Sequence, residues 1–522
     1  MKRLFKGTSI LVAGSAVLLL GLASVQAQTV TLRSINGSFS MTGTLSGFDG
    51  ENYLMKMPLG DIALNIADVN CEGDACPDLF ADLKEFAIAG STTIGRQMMP
   101  DLIEAYAYSL GGDLEVEILS ETQVKYTILD ADGEMYSSIT LNMGSSDDAF
   151  LALQNEEAFI GLSSRRVQDG ERGRFLRIGK GNLTSPEQER ILALDGLAVS
   201  VNPRNPIQTL SLQQISDIFS GNIRNWREVG GLDAAINIYR RDISSGATQV
   251  FQSLVMEPNR QNLINSAFIL ENNAEVSDAL AGDENGIGIT SVSSERNAQI
   301  LALRSICGQV ASPTDFSIKT EEYPMSRRMF MYVNGGRLPE KVSGFIDFVT
   351  SDEAQQVIER AGFVSQNVTT ASLNDQGRRL AHALMAERDR ASLELLQEMV
   401  TGLLDAERIS LTFRFQSGTV QPDNRALVDI ERLAAKVRNG EFDGKRLMII
   451  GFADSIGAIN ENQRLSQARA ESVRDVLVAA VGEGNAGTVQ FTPFGYGKLS
   501  PIGCNETEDG RDTNRRVEIW VR

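Results

Sequence analysis

The amino-acid sequence predicts a multidomain α/β protein. Its 522 residues are enough for about three domains. Apolar residues make up 42% and charged residues 22%, which is ordinary for domains that bury a core. Strand-length apolar runs at residues 86–89 and 447–450 are each followed by an amphipathic helical pattern. We therefore expect strands and helices to alternate in the middle and at the C-terminal end of the chain.

The charge and the histidine content exclude two classes of function. The formal net charge is −19, whereas binding to nucleic acid needs a basic surface, so we expect no nucleic-acid partner. The single histidine, His382, stands in a charge-rich helical stretch, so neither a histidine-based triad nor a histidine metal cluster is possible. Because the sequence shows no evident general base, metal cluster or activated nucleophile, an enzyme is the least favoured interpretation, and we expect no cofactor.

Residues 1–27 have the pattern of a secretory signal peptide. Lys2, Arg3 and Lys6 form a basic start, residues 10–22 are apolar, and residues 25–27 read Val-Gln-Ala, a small-x-small cleavage site. Its removal would take the formal net charge from −19 to −22, since it carries three basic residues and no acidic one. A spanning helix is the rival interpretation, but the apolar stretch is short of about 20 residues.

Residues 28–80 predict a small β module whose role stays open. Short strand patterns at residues 29–32, 39–45, 53–57 and 62–66 are separated by Gly, Asn and Asp turns.

The four cysteines show no zinc spacing. Cys71 and Cys76 bracket a turn-like loop that a disulfide could close, which suits the oxidising compartment of an exported protein. Cys307 and Cys504 belong to different predicted domains and are either buried singly or paired with each other.

Residues 81–370 contain four small-hydroxyl loops that each follow a strand pattern. A loop of this kind at a helix start offers backbone N–H groups and hydroxyls to an anion, although each Ser or Thr alone is more often a helix cap. Together the four loops suit one oxyanion bound at several helix starts. The four loops are residues 90–95, 143–148, 159–165 and 239–248.

The same region resembles the PstS-like phosphate-binding proteins of ABC transporters. The resemblance rests on residues 194–203, 218–226, 287–289 and 323–327, together with the four loops. It implies two α/β lobes that close on a ligand like a hinge. The phosphate contacts that it implies fall on Ser91, Thr92, Ser145 or Ser146, Arg241, Ser245 and Gly246. Ser164 and Arg165, at the end of a strand pattern, are further candidate ligands. The family places an Asp after the strand-end Ser, where this chain has Ser164 followed by Arg165, and Ala247 stands where Thr is usual. The resemblance makes phosphate the first candidate ligand. Because of the two departures, another oxyanion, or a cleft that binds no anion, is the alternative.

Residues 371–407 predict an amphipathic helix or helix pair. Apolar residues recur at spacings of three and four among many charges. A linker that packs on a neighbouring domain is favoured over a dimer seam, because the pattern is too short for a coiled coil.

Residues 408–522 carry a candidate site for a zwitterion. Asp454 follows a strand pattern, and Arg469 lies two turns into the next helix pattern. Held in one cleft, the carboxylate would take an ammonium group and the guanidinium a carboxylate. A plain Asp–Arg salt bridge is the alternative.

The spacing Asp-x2-Gly-x4-Asn-x2-Leu-Ser-x2-Arg-Ala from Asp454, the turn Ser417–Gly418 and the motif at residues 510–519 resemble the OmpA-like C-terminal domain. The resemblance implies non-covalent binding to peptidoglycan through the diaminopimelate of its stem peptide. It assigns the ligand-gripping pair to Asp454 and Arg469, and places Asn462 and Arg515 in or under the pocket. Ala453 departs from the Thr that many members carry there.

These patterns together predict an exported envelope protein. We expect it to bind an oxyanion, with phosphate first, and to hold peptidoglycan in the periplasm, at the outer membrane of a Gram-negative bacterium. Outer-membrane or ABC-transporter components are further candidate partners. The alternative is a structural tether whose middle domain is a protein-interaction module without ligand.

Overall fold

The computed structural model describes residues 29–34, 39–57, 60–66, 68–73, 75–77, 83–415, 424–482 and 484–522. The predicted signal peptide and the predicted turn at Ser417–Gly418 lie outside these ranges. The chain divides into two compact units, Met1–Asp78 and Leu79–Arg522. No helix of the described residues is long and apolar enough to cross a membrane. The fold class is the expected multidomain α/β class.

The N-terminal unit is one antiparallel sheet. Its strands are β1 (Thr29–Ser34), β2 (Ser40–Phe48), β3 (Asn52–Met57), β4 (Gly60–Asn65) and β5 (Val69–Glu72). They pair in the order β4-β3-β2-β1-β5. The last strand, β5, is missing from the sequence-based expectation, and a disulfide joins its Cys71 to Cys76.

The first half of the second unit alternates strands and helices. Its elements are β6 (Glu85–Ser91), α1 (Thr92–Gln97), α2 (Met99–Ser109), β7 (Asp113–Ser120), β8 (Gln123–Leu129), β9 (Met135–Gly144), α3 (Ser146–Gln154), β10 (Ile160–Ser163), α4 (Asp169–Arg177), β11 (Glu189–Val201), β12 (Thr209–Ser211), α5 (Leu212–Phe219), β13 (Asn237–Arg241), α6 (Gly246–Phe251), β14 (Phe268–Leu270), α7 (Asn273–Gly282), β15 (Gly286–Ser291), β16 (Gln299–Ile300), β17 (Ala302–Arg304), β18 (Val310–Ala311), α8 (Asp315–Lys319), β19 (Ser326–Val333), α9 (Glu340–Val349) and α10 (Asp352–Arg360). Short 3₁₀ turns lie at Trp226–Val229 and Val292–Ser294, and a π-helical turn follows α6 at Gln252–Met256.

These elements form two lobes that share one sheet, in the order β14-β13-β15-β11-β19-β10-β6-β9-β8-β7. The long strand β11 pairs with β19 along its first half and with β15 along its second half, so it belongs to both lobes. Each lobe has its own core: lobe 1 takes residues 86–193 and 329–363, and lobe 2 takes residues 194–325 with Val364. The chain therefore passes between the lobes more than once, as a hinge-closing fold requires.

The C-terminal domain is a sheet covered on both faces. Its elements are β20 (Thr370–Ser372), a 3₁₀ turn (Asn374–Gln376), α11 (Gly377–Ala386), α12 (Arg390–Leu403), β21 (Glu407–Arg414), α13 (Asn424–Arg438), β22 (Arg446–Gly451), α14 (Ile459–Val481), β23 (Gln490–Gly495), α15 (Glu508–Asn514) and β24 (Arg516–Val521), with strand order β20-β21-β24-β22-β23. Alternate residues of β22 point to opposite faces. Leu447 and Ile449 join the core under α13 and α14, whereas Met448 and Ile450 join the core under α11 and α12. The predicted linker segment thus covers the second face of this sheet.

A disulfide and hydrogen bonds join lobe 2 to the C-terminal domain. Cys307 of lobe 2 is disulfide-bonded to Cys504, 197 residues further along the chain, so of the two arrangements left open by the sequence the structure has the paired one. Arg414 of β21 donates hydrogen bonds of 2.9 Å to the backbone carbonyls of Thr320 and Glu321, just after α8.

A cluster of buried charges lies in the same interface. Glu518 of β24 is fully buried and pairs with Arg379, Arg408 and Arg516 at 2.7, 3.4 and 2.7 Å. Arg408 also pairs with Glu322 of lobe 2 at 2.5 Å. Burial alone would raise the pKa of the Glu518 carboxyl, but the three guanidinium groups outweigh it and lower that pKa below its usual range. The cluster sets three arginines against two glutamates and joins the two domains.

Candidate functional site

The candidate anion ligands meet because their strands are neighbours. Strands β9, β6 and β10 run parallel and adjacent, so the loops after Gly144, Ser91 and Ser163 leave the same edge of the sheet. From lobe 2, β13 ends at Arg241 and α6 begins at Gly246. The structure therefore brings three loops of lobe 1 and one loop of lobe 2 together across the cleft.

A hydroxyl cluster of lobe 1 lies against a glycine of lobe 2. The Oγ atoms of Ser146 and Ser164 lie 3.3 Å apart, and the Ser164 N–H donates to Ser146 Oγ at 3.1 Å. A Cβ atom on Gly246 would lie 2.1 Å from Ser164 Oγ and 2.6 Å from Ser146 Oγ. A side chain at position 246 would have to displace these hydroxyls, so the glycine lets the backbone of lobe 2 lie against them.

Arg241 supplies a buried positive charge beside this cluster. Burial lowers its pKa to about 10, and the like charges of Arg327 and Arg96 act in the same direction, so the group is still charged at neutral pH. Its Nη1 donates to Thr93 Oγ1 of lobe 1 at 3.2 Å, whereas its buried Nε has no hydrogen-bond partner among the described residues. A desolvated cation with an unused donor is a strong attractor for an anion.

Several of the predicted ligands already have local partners. Thr92 Oγ1 donates to the carbonyl of Gly144 at 2.8 Å. Ser145 forms a capping box with Asp148 at the start of α3, and Ser245 Oγ accepts from the N–H of Thr248 at 3.2 Å. Ser91 is buried at the end of β6 and makes no side-chain cap hydrogen bond. Thr92, Ser145 and Ser245 therefore serve as structural supports.

The sequence-based assignment of Arg165 to the anion site does not agree with the geometry. Its guanidinium donates to Glu171, Asp147, Gln249 and the carbonyl of Arg166 instead. Burial disfavours the charge, but the two carboxylates outweigh it and raise the pKa of Arg165. Glu171 and Gln249 lie 6 and 84 residues away from Arg165 in sequence, so no local sequence pattern predicts that they bind it.

Two threonines near the cluster were missed by sequence reasoning. Thr93 contacts Arg241, and Thr248 Oγ1 donates to the carbonyl of Arg241 at 3.2 Å. The only signal was that each extends a hydroxyl-rich loop by a few residues. The cleft outside them measures about 940 Å³ and is rimmed by Asp148, Asp242, Glu271 and Glu275.

The second candidate site is a cleft of about 580 Å³ in the C-terminal domain. Its lining includes Asp454, Asn462, Arg469 and Arg515, with Glu461, Glu508 and Arg511 at the rim. Asp454 follows the end of β22, Arg469 lies inside α14, and Arg515 connects α15 to β24. The four residues selected from the sequence therefore line one hollow, whereas the rim charges were not foreseen.

Asp454 is held in place by three interactions. Its Oδ1 accepts from the N–H of Ile456 and its Oδ2 accepts from Arg515 Nη1, both at 2.8 Å. Its backbone carbonyl accepts from Asn462 Nδ2 at 3.1 Å. Asn462 therefore supports the loop rather than the carboxylate. The ion pair of Asp454 is with Arg515, which also contacts Asp512 and Glu508.

Arg469 is fully buried at the floor of this cleft. Its guanidinium lies 5.2 Å from the ring centre of Phe415, and its Nη1 donates to the carbonyl of Phe452 at 3.4 Å. Burial lowers its pKa to about 10; Arg515 lowers it further, and Asp454 opposes them. The floor thus presents a desolvated cation beside an oriented carboxylate, an arrangement that fits a zwitterionic ligand.

Comparison with known proteins finds similarity in two parts of the chain. Residues 128–353 match the model of the PBP superfamily domain, and residues 412–515 match that of the OmpA family. The phosphate-binding protein PstS of Borreliella burgdorferi is 25% identical over 262 residues, or 49% of this chain and 88% of that protein. A solved ABC-type phosphate transport receptor from Vibrio cholerae is 24% identical, with a TM-score of 0.41, and covers 53% of this chain and 99% of its own. The solved peptidoglycan-associated lipoprotein from Burkholderia pseudomallei is 23% identical, with a TM-score of 0.19, and covers 21% of this chain and 89% of its own.

Proposed function

We propose a two-site envelope function for this chain, in which a PstS-like periplasmic-binding-protein domain is joined to a C-terminal OmpA domain. The middle domain binds an oxyanion, with phosphate as the first candidate, and the C-terminal domain holds peptidoglycan through its diaminopimelate stem. The protein is exported, is not an enzyme, and acts in the periplasm at the wall near the outer membrane of a Gram-negative bacterium. An outer-membrane or ABC-transporter component is a further candidate partner.

The anion site is supported above all by Arg241. Its buried Nε has no partner among the described residues, and it stands beside the Ser146, Ser164 and Gly246 cluster. An anion there would gain charge-assisted hydrogen bonds from Arg241, and the hydroxyls can donate as well.

Calorimetry with inorganic phosphate tests this proposal on the full chain without residues 1–27. We expect binding by the wild type and a loss of at least about 100-fold in affinity in Arg241→Gln, because the charge and its hydrogen bonds disappear together. Arg204→Gln is the matched control, since Arg204 is an exposed arginine of lobe 2 paired with Glu284. Wild-type protein that binds neither phosphate nor sulfate would refute the anion function.

The proposed wall-binding site is supported by the presence of Asp454 and Arg469 in the lining of one cleft. We expect wild-type protein to sediment with purified diaminopimelate-type peptidoglycan and Asp454→Asn to remain in the supernatant, since the ammonium partner is lost. Asp475→Asn is the matched control, because Asp475 is exposed on the same helix α14 and outside the cleft. Equal sedimentation of both variants would contradict this assignment.

A tether without ligand is the second candidate function. It is favoured by the local partners that Thr92, Ser145 and Ser245 already have within the chain. In that case the middle domain would be a protein-interaction module. An anion that co-purifies with the wild type and is absent from Arg241→Gln would rule it out.

A further inference from the structure

The guanidinium of Arg165 has no hydrogen-bond donor left for an anion. A guanidinium carries five N–H donors. Nε donates to Gln249 Oε1 at 2.9 Å; Nη1 donates to the Arg166 carbonyl at 3.0 Å and to Glu171 at 2.9 Å; Nη2 donates to Glu171 at 2.7 Å and to Asp147 at 2.5 Å. All five donors are occupied, and the side chain is 6% exposed. Arg165 therefore binds protein groups only.

One of its partners comes from the opposite lobe. Arg165, Asp147 and Glu171 belong to lobe 1, whereas Gln249 lies in α6 of lobe 2. The Gln249 side-chain oxygen accepts from Arg165, and its nitrogen lies 3.4 and 3.3 Å from the two carboxylate oxygens of Asp147. The Gln249 amide thus accepts a hydrogen bond from Arg165 and donates to Asp147, the two members of an ion pair in the opposite lobe.

This contact is coupled to the anion site by the chain itself. Gln249 lies three residues after Gly246, and Arg165 directly follows Ser164. Gly246 of lobe 2 lies against Ser164 of lobe 1. The movement that brings Gly246 to Ser164 therefore also brings the Gln249 amide to Arg165 and Asp147.

We propose that Gln249, Arg165 and Asp147 form a closure latch. These are positioning residues: they hold the lobes together around the anion without touching it. The latch rests on the proposed anion-binding function and deepens it. It predicts that residues that do not contact the anion determine how long the anion stays bound. A latch of this kind slows release and leaves the choice among anions unchanged.

The test is a double-mutant cycle in stopped-flow and calorimetric phosphate binding. Gln249→Met removes both hydrogen bonds at nearly constant size, and Arg165→Lys keeps a charge for Glu171 but loses the Nε donor. We expect each variant to release phosphate about tenfold faster with a nearly unchanged association rate, as a lost hydrogen bond to a charged group predicts. The double variant should release phosphate no faster than the faster single variant, because both substitutions remove the same contact between Arg165 and Gln249.

Anion selectivity distinguishes a latch residue from a residue that contacts the anion. The ratio of phosphate to sulfate affinity should stay constant within about twofold in both variants, whereas loss of a direct anion contact would change it. Gln213→Ala is the matched control, since Gln213 is an exposed glutamine of α5 whose amide bonds Asp217 inside lobe 2. Additive effects, a changed anion ratio or release rates within twofold of the wild type would overturn the latch.

Hydrogen exchange keeps the latch testable if phosphate does not bind. Amide exchange of residues 245–251 and 145–149 in the anion-free full chain should be faster in Gln249→Met than in the wild type, because the contact holds these segments together. Wild-type protein that binds no anion refutes the proposed function alone. Unchanged exchange in Gln249→Met refutes the latch alone.

Discussion

Lobe 2 has two interfaces of opposite kinds. Toward lobe 1 it presents hydrogen bonds from amide, hydroxyl and guanidinium groups, among them Gln97 with Ser294 at 2.7 Å and Arg241 with Thr93 at 3.2 Å. Toward the C-terminal domain it is held by the Cys307–Cys504 disulfide and by buried ion pairs. Hydrogen bonds between uncharged groups are exchanged for water at small cost, whereas a covalent bond and buried charges are not. We therefore expect the first interface to open more easily than the second.

The difference determines which part of the molecule moves. Because lobe 2 is joined covalently to the C-terminal domain, closure on the proposed anion would be a movement of lobe 1. A wall-bound C-terminal domain would then carry a fixed half of the anion site. An anion signal would be read from the position of lobe 1, which suits a sensor or a store better than a carrier that must leave the wall.

The largest effect is expected from breaking the buried charge cluster. Glu518→Gln leaves Arg379, Arg408 and Arg516 with Glu322 as the remaining carboxylate of the cluster. Uncompensated buried charge costs about 3–5 kcal/mol in the free energy of unfolding. Denaturant unfolding followed by tryptophan fluorescence measures it, because Trp520 donates to Glu518 at 3.0 Å. Glu506→Gln, an exposed carboxylate, should change nothing; a loss below 1 kcal/mol in Glu518→Gln would contradict the cluster's role.

Acid should act on the same cluster in a defined direction. The pKa of Glu518 is lowered in the folded state, so the unfolded state binds the proton more tightly. The stabilisation by Glu518 is therefore fully present above its unfolded pKa, near 4.5, and is lost only as the pH falls through the lower folded value. We expect the wild type to lose stability below about pH 5 more steeply than Glu518→Gln. Parallel pH profiles of the unfolding midpoint would speak against this linkage.

The second largest effect is expected from the disulfide between the domains. Cys307→Ala with Cys504→Ala should lower the free energy of unfolding of the Leu79–Arg522 unit by about 2–4 kcal/mol, since the unfolded chain gains freedom. The double variant Cys71→Ala with Cys76→Ala is the matched control, because that bond lies in the N-terminal unit. Calorimetric scans should show the loss in the first variant and leave the same transition unchanged in the second.

Local signals were enough to predict the elements but not the connections between them. Asp454 at a strand end and Arg469 inside the next helix line one cleft because strand and helix patterns fix where such residues lie. The hydroxyl loops meet because parallel neighbouring strands end together. The Cys307–Cys504 bond and the partners of Arg165 depend on how distant elements pack, which residue spacing does not encode.

The smallest effect is expected at the interface that opens. Gln97→Ala removes the amide–hydroxyl contact with Ser294 and touches neither Arg241 nor the Gln249 contact. A hydrogen bond between uncharged groups contributes about 1 kcal/mol, so phosphate affinity should fall about fivefold, because the closed state alone loses it. The free energy of unfolding should change less than in Glu518→Gln or in the Cys307→Ala, Cys504→Ala double variant, since water replaces the partner when the lobes part.

Gln123→Ala is the matched control for this prediction. It removes a comparable hydrogen bond to Asn142 inside lobe 1 and should leave phosphate affinity unchanged. Equal affinities for both variants in calorimetry would mean that the lobes do not separate at Gln97, and the contrast between the two interfaces would then be lost.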